Sequence, residues 1–548
     1  MLLALSFVLL SGCNGPTLDS LTPASGPERT IVTVGGSTAL AEVLWDVGTP
    51  QEQSLPSGFL GAGFFSVPPG ATPGPHNVQL VRNGEKSGTQ VFTVTAPVPF
   101  TAPRVDHVMI TGTTFDAGNK VNAWLLVQGA NIDVGAEVLI NGSVEPTASL
   151  KAITNNLFGV APATLGFPIY HYTGLLSATG SRNTGETLQI RVRNLDNQLS
   201  NTFSYTLPTS ATTLDSDGDN IPDDWEENGY DADGNGTIDV DLPALGADKN
   251  RRDLLVEVDI MNGLTNPPGA ATFQAIQNAF AAAPVLNFAQ DNGVNLILDA
   301  SGTVPFSQSI DLTGTTNPAT GFTNFYTLKN ANFDNTNRGR LYHYAIWANA
   351  RPNGSSGISD VVINAAGTDF SGPGDDFIVS FDDFSAPNHN ARNRAATFLH
   401  ELGHNLIQRH GGGDHSTRKP NYNSVLSYSW QLRTGMSNAA RRSRPVCFPF
   451  YYAQNGAVET NGNVLPGFNN VVDYSEGMGA ALNEASLNEP AGVCNNIAVD
   501  WNSDGDATDA NVAANADQDG TLNETLQDFC NWCSLDYRGP ELNGSQGN

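Results

Sequence analysis

Short runs of alternating apolar and polar residues dominate the chain between 16 and 208. Thr30-Ile-Val-Thr-Val34 has a strand period until Gly35-Gly36 breaks it, and Val78 to Arg82 and Val91 to Thr95 repeat the pattern. Further on, Trp124 to Asn131 and Val138 to Gly142 read as early strands of a second set, with Leu188 to Asn194 and Asn201 to Thr206 as its last two. Strands of this length between Gly- and Pro-bearing turns predict two all-β sandwiches, over 16–97 and 101–208. Past residue 250 the period changes. Leu254 to Ile260, Val294 to Leu298, Tyr342 to Trp347 and Phe377 to Phe381 read as strands. Ala271 to Ala283 places Phe273, Ile276 and Phe280 on one helical face, and a second helix is expected from Arg392 to Gln408. Strands alternating with helices predict an α/β (α+β) domain over 251–440, followed by a Cys- and Asp-rich extension over 441–548.

Composition sharpens this picture. At 548 residues the chain calls for three or four domains of about 150 residues each. It carries 55 acidic against 26 basic residues, a formal charge of −29, which argues against nucleic acid as a partner because phosphate binding needs clustered Lys and Arg. The first residues, Met-Leu-Leu-Ala-Leu-Ser-Phe-Val-Leu-Leu, form an apolar run too short to span a bilayer and long enough for a signal segment. Leu10-Ser11-Gly12-Cys13 resembles the bacterial lipobox, although no Lys or Arg precedes the apolar run. That resemblance implies a signal peptide over 1–12 and a lipid anchor on Cys13. It places the protein in a bacterial cell envelope, facing the periplasm or the exterior, with secretion as the alternative. Contact with membrane is then expected only through that anchor, and the protein is expected to be a monomer. Four cysteines remain, Cys447, Cys494, Cys530 and Cys533, enough for two disulfides with three possible pairings.

The chemistry is concentrated at residues 400–404, His-Glu-Leu-Gly-His. On a helix, His400 and His404 share one face a turn apart, where two imidazoles can meet one tetrahedral zinc. Glu401 stands beside the first of them, and His410 follows six residues after the second. One catalytic zinc needs a third protein ligand and an open position for water, whose proton Glu401 would accept. His410 is the candidate third ligand, with Asp414 and His415 in reserve. A glutamate in that role would have to be Glu459, which sits in a Gly/Asn-rich stretch.

This spacing resembles the metzincin metalloproteases, whose motif is H-E-x-x-H-x-x-G-x-x-H followed by a methionine-containing turn under the zinc. The resemblance covers about 392–430, and His400, Glu401, His404 and His410 fall in register. Ile407 occupies the family's glycine position. A β-branched residue is strained in the left-handed conformation, so the chain is expected to turn elsewhere, at Gly411-Gly412-Gly413. In Ser424-Val-Leu-Ser-Tyr428, Leu426 takes the place of the turn methionine, and Tyr428 falls where some metzincins carry a tyrosine near the metal. The resemblance implies a zinc endopeptidase acting on protein or peptide substrates, with Glu401 and Tyr428 catalytic. It also implies an edge strand beside the substrate, for which Phe377 to Phe381 is the candidate. Residues 16–97, through Leu21-Thr-Pro-Ala-Ser-Gly26, Val67-Pro-Pro-Gly70 and Pro73-Gly-Pro-His-Asn-Val78, resemble the IPT/TIG family of immunoglobulin-like domains.

Between Asp215 and Asp241 lie eleven acidic residues and no Lys or Arg. Asp215, Asp217, Asp219, Asp223 and Glu226 take positions 1, 3, 5, 9 and 12 of a calcium-loop spacing, with Asn220 where glycine is usual. The segment also resembles the Asp-rich repeats of thrombospondin type 3, which implies one or more structural calcium ions in a joint over 209–250. Asp231, Asp233, Asn235 and Asp239 repeat the spacing without the final Glu, and Asn502 to Asp509 and Asn515 to Gly520 offer similar runs. The functional expectation is a zinc endopeptidase. The alternative is a cell-surface adhesion or carbohydrate-binding protein whose zinc site is inactive.

Overall fold

The computed structural model describes residues 15–28, 30–38, 41–55, 63–95, 102–116, 118–130, 132, 136–144, 172–285, 287, 293–363, 369–435, 459–460, 463–464, 472–477, 479–493 and 498–537. The expected signal segment with Cys13, and also His171, Cys447 and Cys494, lies outside the described residues. The chain is a multidomain, β-rich protein with few helices, and it divides into two compact units, Met1–Leu207 and Pro208–Asn548. Among the described residues no helix is long and apolar enough to cross a membrane.

In the first unit a three-stranded sheet, Ser20–Thr22, Ile31–Gly35 and Phe64–Ser66, faces a five-stranded sheet that includes Glu42–Trp45, Gly74–Arg82 and Glu85–Val94. Val32, Phe65, Val43, Trp45, Val78, Leu80 and Phe92, drawn from both sheets, share one core. The alternation read along the sequence is the inside–outside alternation of these strands: Gly74–Arg82 buries His76, Val78 and Leu80 and leaves Pro75 and Asn77 exposed. A further three-stranded sheet, Arg104–Asp116, Lys120–Ala130 and Tyr172–Asn183, and a four-stranded sheet ending in Thr187–Arg193 and Phe203–Thr206 complete the unit.

The second unit is organised around one sheet. Five of its six strands, β1 (Asp253–Met261), β2 (Asn295–Asp299), β3 (Tyr342–Ala348), β4 (Gly357–Ser359) and β5 (Asp376–Ser380), lie in the order β2-β1-β3-β5-β4, and the short strand Thr303–Val304 pairs with the end of β1. All neighbours are parallel except β4, which runs antiparallel to β5 at the edge. Phe377 to Phe381, read from sequence as the edge, is therefore an inner strand flanked by β3 and β4. The near-continuous apolar run of β1 reflects burial on both faces. Leu254, Val256 and Val258 join a core with helices α1 (Ala270–Ala281) and α2 (Ala391–Asn405), while Leu255 and Met261 join a second core with Phe325, Leu328 and Phe333. Ile276 and Phe280 of α1 are fully buried, as their spacing requires. The C-terminal segments complete the first core, with Tyr474 and Trp532 packed edge-on against Phe280. Cys530 and Cys533 are joined as a disulfide within this packing.

Candidate metal centre

Helix α2 carries the site. Asn390 caps it by accepting from the Asn393 N–H at 2.9 Å, and nearly every residue from Arg392 to Asn405 is buried. The helix ends three residues before the expected limit. The Gln408 N–H donates to the Gly403 carbonyl at 2.8 Å and the Ile407 N–H to that of His404 at 2.9 Å, the paired bonds of a Schellman turn. The left-handed residue of that turn is Ile407, with φ +65°. The expectation that the chain would turn at Gly411–Gly413 is thus corrected: the β-branched residue itself takes the conformation, at a cost of about 1–2 kcal/mol. Long-range contacts hold it there. The Gln408 side chain donates to the Ser534 carbonyl at 2.9 Å and accepts from Asn531 at 2.8 Å, and the Asp536 N–H donates to the Leu406 carbonyl at 3.3 Å.

The turn brings His410 back to the helix. Nitrogens of His400, His404 and His410 all lie within 4.8 Å of one another. His400 Nδ1 donates to the Val425 carbonyl at 2.8 Å, and His404 Nδ1 to the Gln408 carbonyl at 2.6 Å. Carbonyls only accept, so both Nδ1 atoms carry the proton and both Nε2 atoms present lone pairs. Those two Nε2 atoms face each other at 3.2 Å. Two lone pairs so placed repel unless a cation lies between them. Nitrogens about 2.0–2.1 Å from one tetrahedral zinc stand about 3.3 Å apart, so the donor set fits zinc. Burial pushes all three imidazoles towards the neutral, ligating form: His400 far down, His404 down to about 4 and His410 down to about 3. The reserve ligands are engaged elsewhere, Asp414 with Lys419 at 2.8 Å and His415 with Asp369 at 3.3 Å.

Glu401 is buried beside this cluster, and burial raises its carboxyl to about 8 against the opposing charge of Arg351. Edge strand β4 lies alongside: Ser359 Oγ donates to the Glu401 carbonyl at 2.7 Å, and a Cβ on Gly357 would stand 2.5 Å from Glu401 Oε1. Arg351 steadies the strand by donating to the Gly357 carbonyl at 2.8 Å. Below the helix, Leu426 is fully buried, and its Cδ2 approaches the Cβ position of Gly403 at 3.0 Å. The Tyr428 ring lies 4.6 Å from that of His410 and 5.7 Å from that of His400. Burial and the charge of Glu401 hold its phenol in the protonated form. The remaining histidines of the described chain serve structure where their contacts are defined: His76 meets Asp46 at 2.7 Å and His389 the Phe381 carbonyl at 2.8 Å.

The acidic segment departs from its linear reading. Asp215, Asp217 and Asp219 come together, but both oxygens of Asp223 accept from Ser216, at 2.7 Å each. Asp253, from the start of β1, joins Asp219 and Glu226 in its place. Sequence spacing could not show this, because Asp253 lies outside the loop. Glu484 and Glu489 were missed for the same reason. Glu484 accepts from the Ala516 N–H at 2.6 Å and Glu489 from the Trp501 N–H at 2.8 Å, so each gathers one of the C-terminal Asp-rich loops. The run at Asp231, Asp233 and Asp239 is largely exposed.

No protein-family model matches the chain. No curated protein matches it. Solved structures align with parts of it, among them these three. A biofilm associated protein, BSP domain, is 15% identical over 36% of this chain and 29% of its own, with a TM-score of 0.12. SGBP-B from a complex xyloglucan utilization locus in Bacteroides uniformis is 12% identical over 38% and 53%, with a TM-score of 0.14. SGBP-B from a Bacteroides ovatus mixed-linkage glucan utilization locus, in complex with a mixed-linkage heptasaccharide, is 10% identical over 36% and 45%, with a TM-score of 0.12. The alignments thus span between about a third and about half of those structures, and at these scores they carry no argument about function.

Proposed function

We propose that the second unit is a zinc-dependent endopeptidase of metzincin-like plan, acting on extracellular proteins from a lipid-anchored position in the envelope. One observation carries the reading: two buried imidazole lone pairs opposed at 3.2 Å, with His410 converging on them and Glu401 beside them. Zinc, when bound by His400, His404 and His410, supplies a Lewis acid that polarises a carbonyl and acidifies water. The chain's own groups do the rest. Glu401 accepts the proton of the attacking water and returns it to the leaving amine. Its buried setting favours proton transfer near neutrality, since the carboxyl is pushed up to about 8 before a metal is present. Tyr428, protonated and next to His410, donates to the oxygen on which negative charge develops. Among the described residues β4 pairs with β5 alone, and its other edge, apart from the Gly357 carbonyl that Arg351 holds, can pair with an extended peptide and hold it across Glu401.

A second reading, adhesion or carbohydrate binding with a metal site that does not turn over, is favoured by the first unit, which among its described residues is built of strands without a helix. One experiment separates the two. The purified chain is assayed for bound zinc and for casein cleavage, alongside Glu401→Ala. The endopeptidase reading expects about one zinc per chain in both proteins and cleavage only in the wild type. Absence of zinc, or cleavage indifferent to the substitution, discards it.

A further inference from the structure

A second group of buried acids lies in the second unit, in the segment 215–226 and at the head of β1. Asp217, Asp219, Glu226 and Asp253 are 0%, 2%, 3% and 1% exposed. Oxygens of Asp219, Glu226 and Asp253 fall within 4.8 Å of one another, and Asp219 is shared with a second trio formed by Asp215 and Asp217. Some of these oxygens are satisfied by the backbone. Asp219 accepts from the Asp253 N–H at 2.6 Å and the Ile221 N–H at 2.8 Å, and Asp215 from Gly218 and Asn220 at 2.7 and 2.9 Å. Others are not. Neither carboxylate oxygen of Glu226 has a hydrogen-bond partner, nor has Oδ2 of Asp217, although all three atoms are buried. A buried carboxylate without a partner costs several kcal/mol unless a cation or proton compensates it.

Two guanidiniums act on the cluster, buried Arg252 on Asp217 and Arg251 on Asp253, fewer charges than the four carboxylates carry. A proton shared between Glu226 and Asp253 would remove one negative charge and still leave Oδ2 of Asp217 buried without a partner. We propose that this pocket is a site for a hard divalent cation of calcium's size, with Asp217, Asp219 and Glu226 contributed by the acidic segment and Asp253 by the first strand of the central sheet. The donor set is all oxygen, which selects calcium over the softer metals that imidazole and thiolate attract. The cation joins residues remote in sequence, so it fastens the acidic segment to β1 rather than merely ordering a loop. No residue is shared with the histidine site, and the inference stands whether or not that site turns over.

The test uses the full chain, stripped with chelator and titrated with calcium chloride, following heat of binding and melting temperature. Asp253→Asn and Glu226→Gln each remove a charge and keep the side-chain shape. Calcium is expected to raise the wild-type melting temperature, and either substitution is expected to weaken one tight equivalent by roughly tenfold or more and to remove most of that rise. Asp231→Asn, in the exposed run, should leave that equivalent intact. In chelator Glu226→Gln should melt at or above the wild type, because it relieves repulsion among buried charges and neither Glu226 oxygen accepts a hydrogen bond that would be lost; this separates lost binding from lost folding. A wild type indifferent to calcium overturns the proposal, as do variants that keep its stoichiometry and thermal response.

Discussion

Gly357 on the edge strand offers a sharp test of how Glu401 is held. A methyl group at this position would lie 2.5 Å from Glu401 Oε1, 2.7 Å from its Cδ and 2.6 Å from the carbonyl oxygen of Ile378. Ordinary contact begins near 3.4 Å, so the overlap is about 0.8 Å against a backbone atom and the Glu401 carboxylate at once. The strand cannot simply retreat. Arg351 grips the Gly357 carbonyl at 2.8 Å and Ser359 donates to α2 at 2.7 Å, while the Ile378 carbonyl belongs to a strand paired on both sides. Gly357→Ala should therefore cost about 1–3 kcal/mol of stability and displace the carboxylate. Displacement approaching 1 Å lowers kcat/KM by roughly 10²-fold. The three imidazoles are untouched, so zinc content should match the wild type. The assay is peptide hydrolysis with zinc quantification, with Gly269→Ala as the control, since a Cβ there meets nothing within 4 Å. Full zinc and a kcat/KM within about threefold of wild type would refute the placement of Glu401 by β4.

Two further outcomes follow from the burial of the site and of the C-terminal packing. The Glu401 carboxyl is raised by burial from its ordinary 4.5 to about 8 in the metal-free chain. A raised carboxyl contributes stability that is fully present below pH 4.5 and is lost as pH rises through 8. Glu401→Gln has no such loss, so its advantage over the metal-depleted wild type in urea unfolding should grow by about 1.4 kcal/mol per pH unit from pH 5 to 8 and then level off. A constant difference across that range would contradict it. The Cys530–Cys533 disulfide closes a short loop holding Asn531, which bonds to Gln408, and Trp532, which packs on Phe280. Replacing both cysteines with serine should cost about 2 kcal/mol from loop closure, read as a lower urea midpoint, and unchanged unfolding would show that packing alone fixes the loop.

Elements defined by local pattern were legible in the sequence, and those defined by distant contacts were not. The His400–His404 pair and Glu401 could be placed because helical spacing alone puts them together. The strands of the central sheet could be placed because their apolar runs are long; β4, with three residues, is too short to show a period. Ile407 shows why local rules fail at the turn that returns His410 to the helix. Local sterics disfavour its conformation by about 1–2 kcal/mol, yet Gln408, held by Asn531 and Ser534 more than 120 residues further on, pins the turn. Asp253 evaded the spacing argument in the same manner, 34 residues from Asp219.

These cases share a cause. The C-terminal segments read from sequence only as a Cys- and Asp-rich extension, but Tyr474 and Trp532 close the core over α1 and Tyr474 donates to the Leu399 carbonyl in the helix that bears the histidines. The side chain of Gln408, whose carbonyl orients His404, is bonded to Asn531 beside the disulfide. The proposed metal site is therefore only half encoded in its motif. The helix supplies two ligands and a carboxylate by itself, whereas the return of His410 and the tautomer of His404 depend on residues that have no spacing relation to the motif at all.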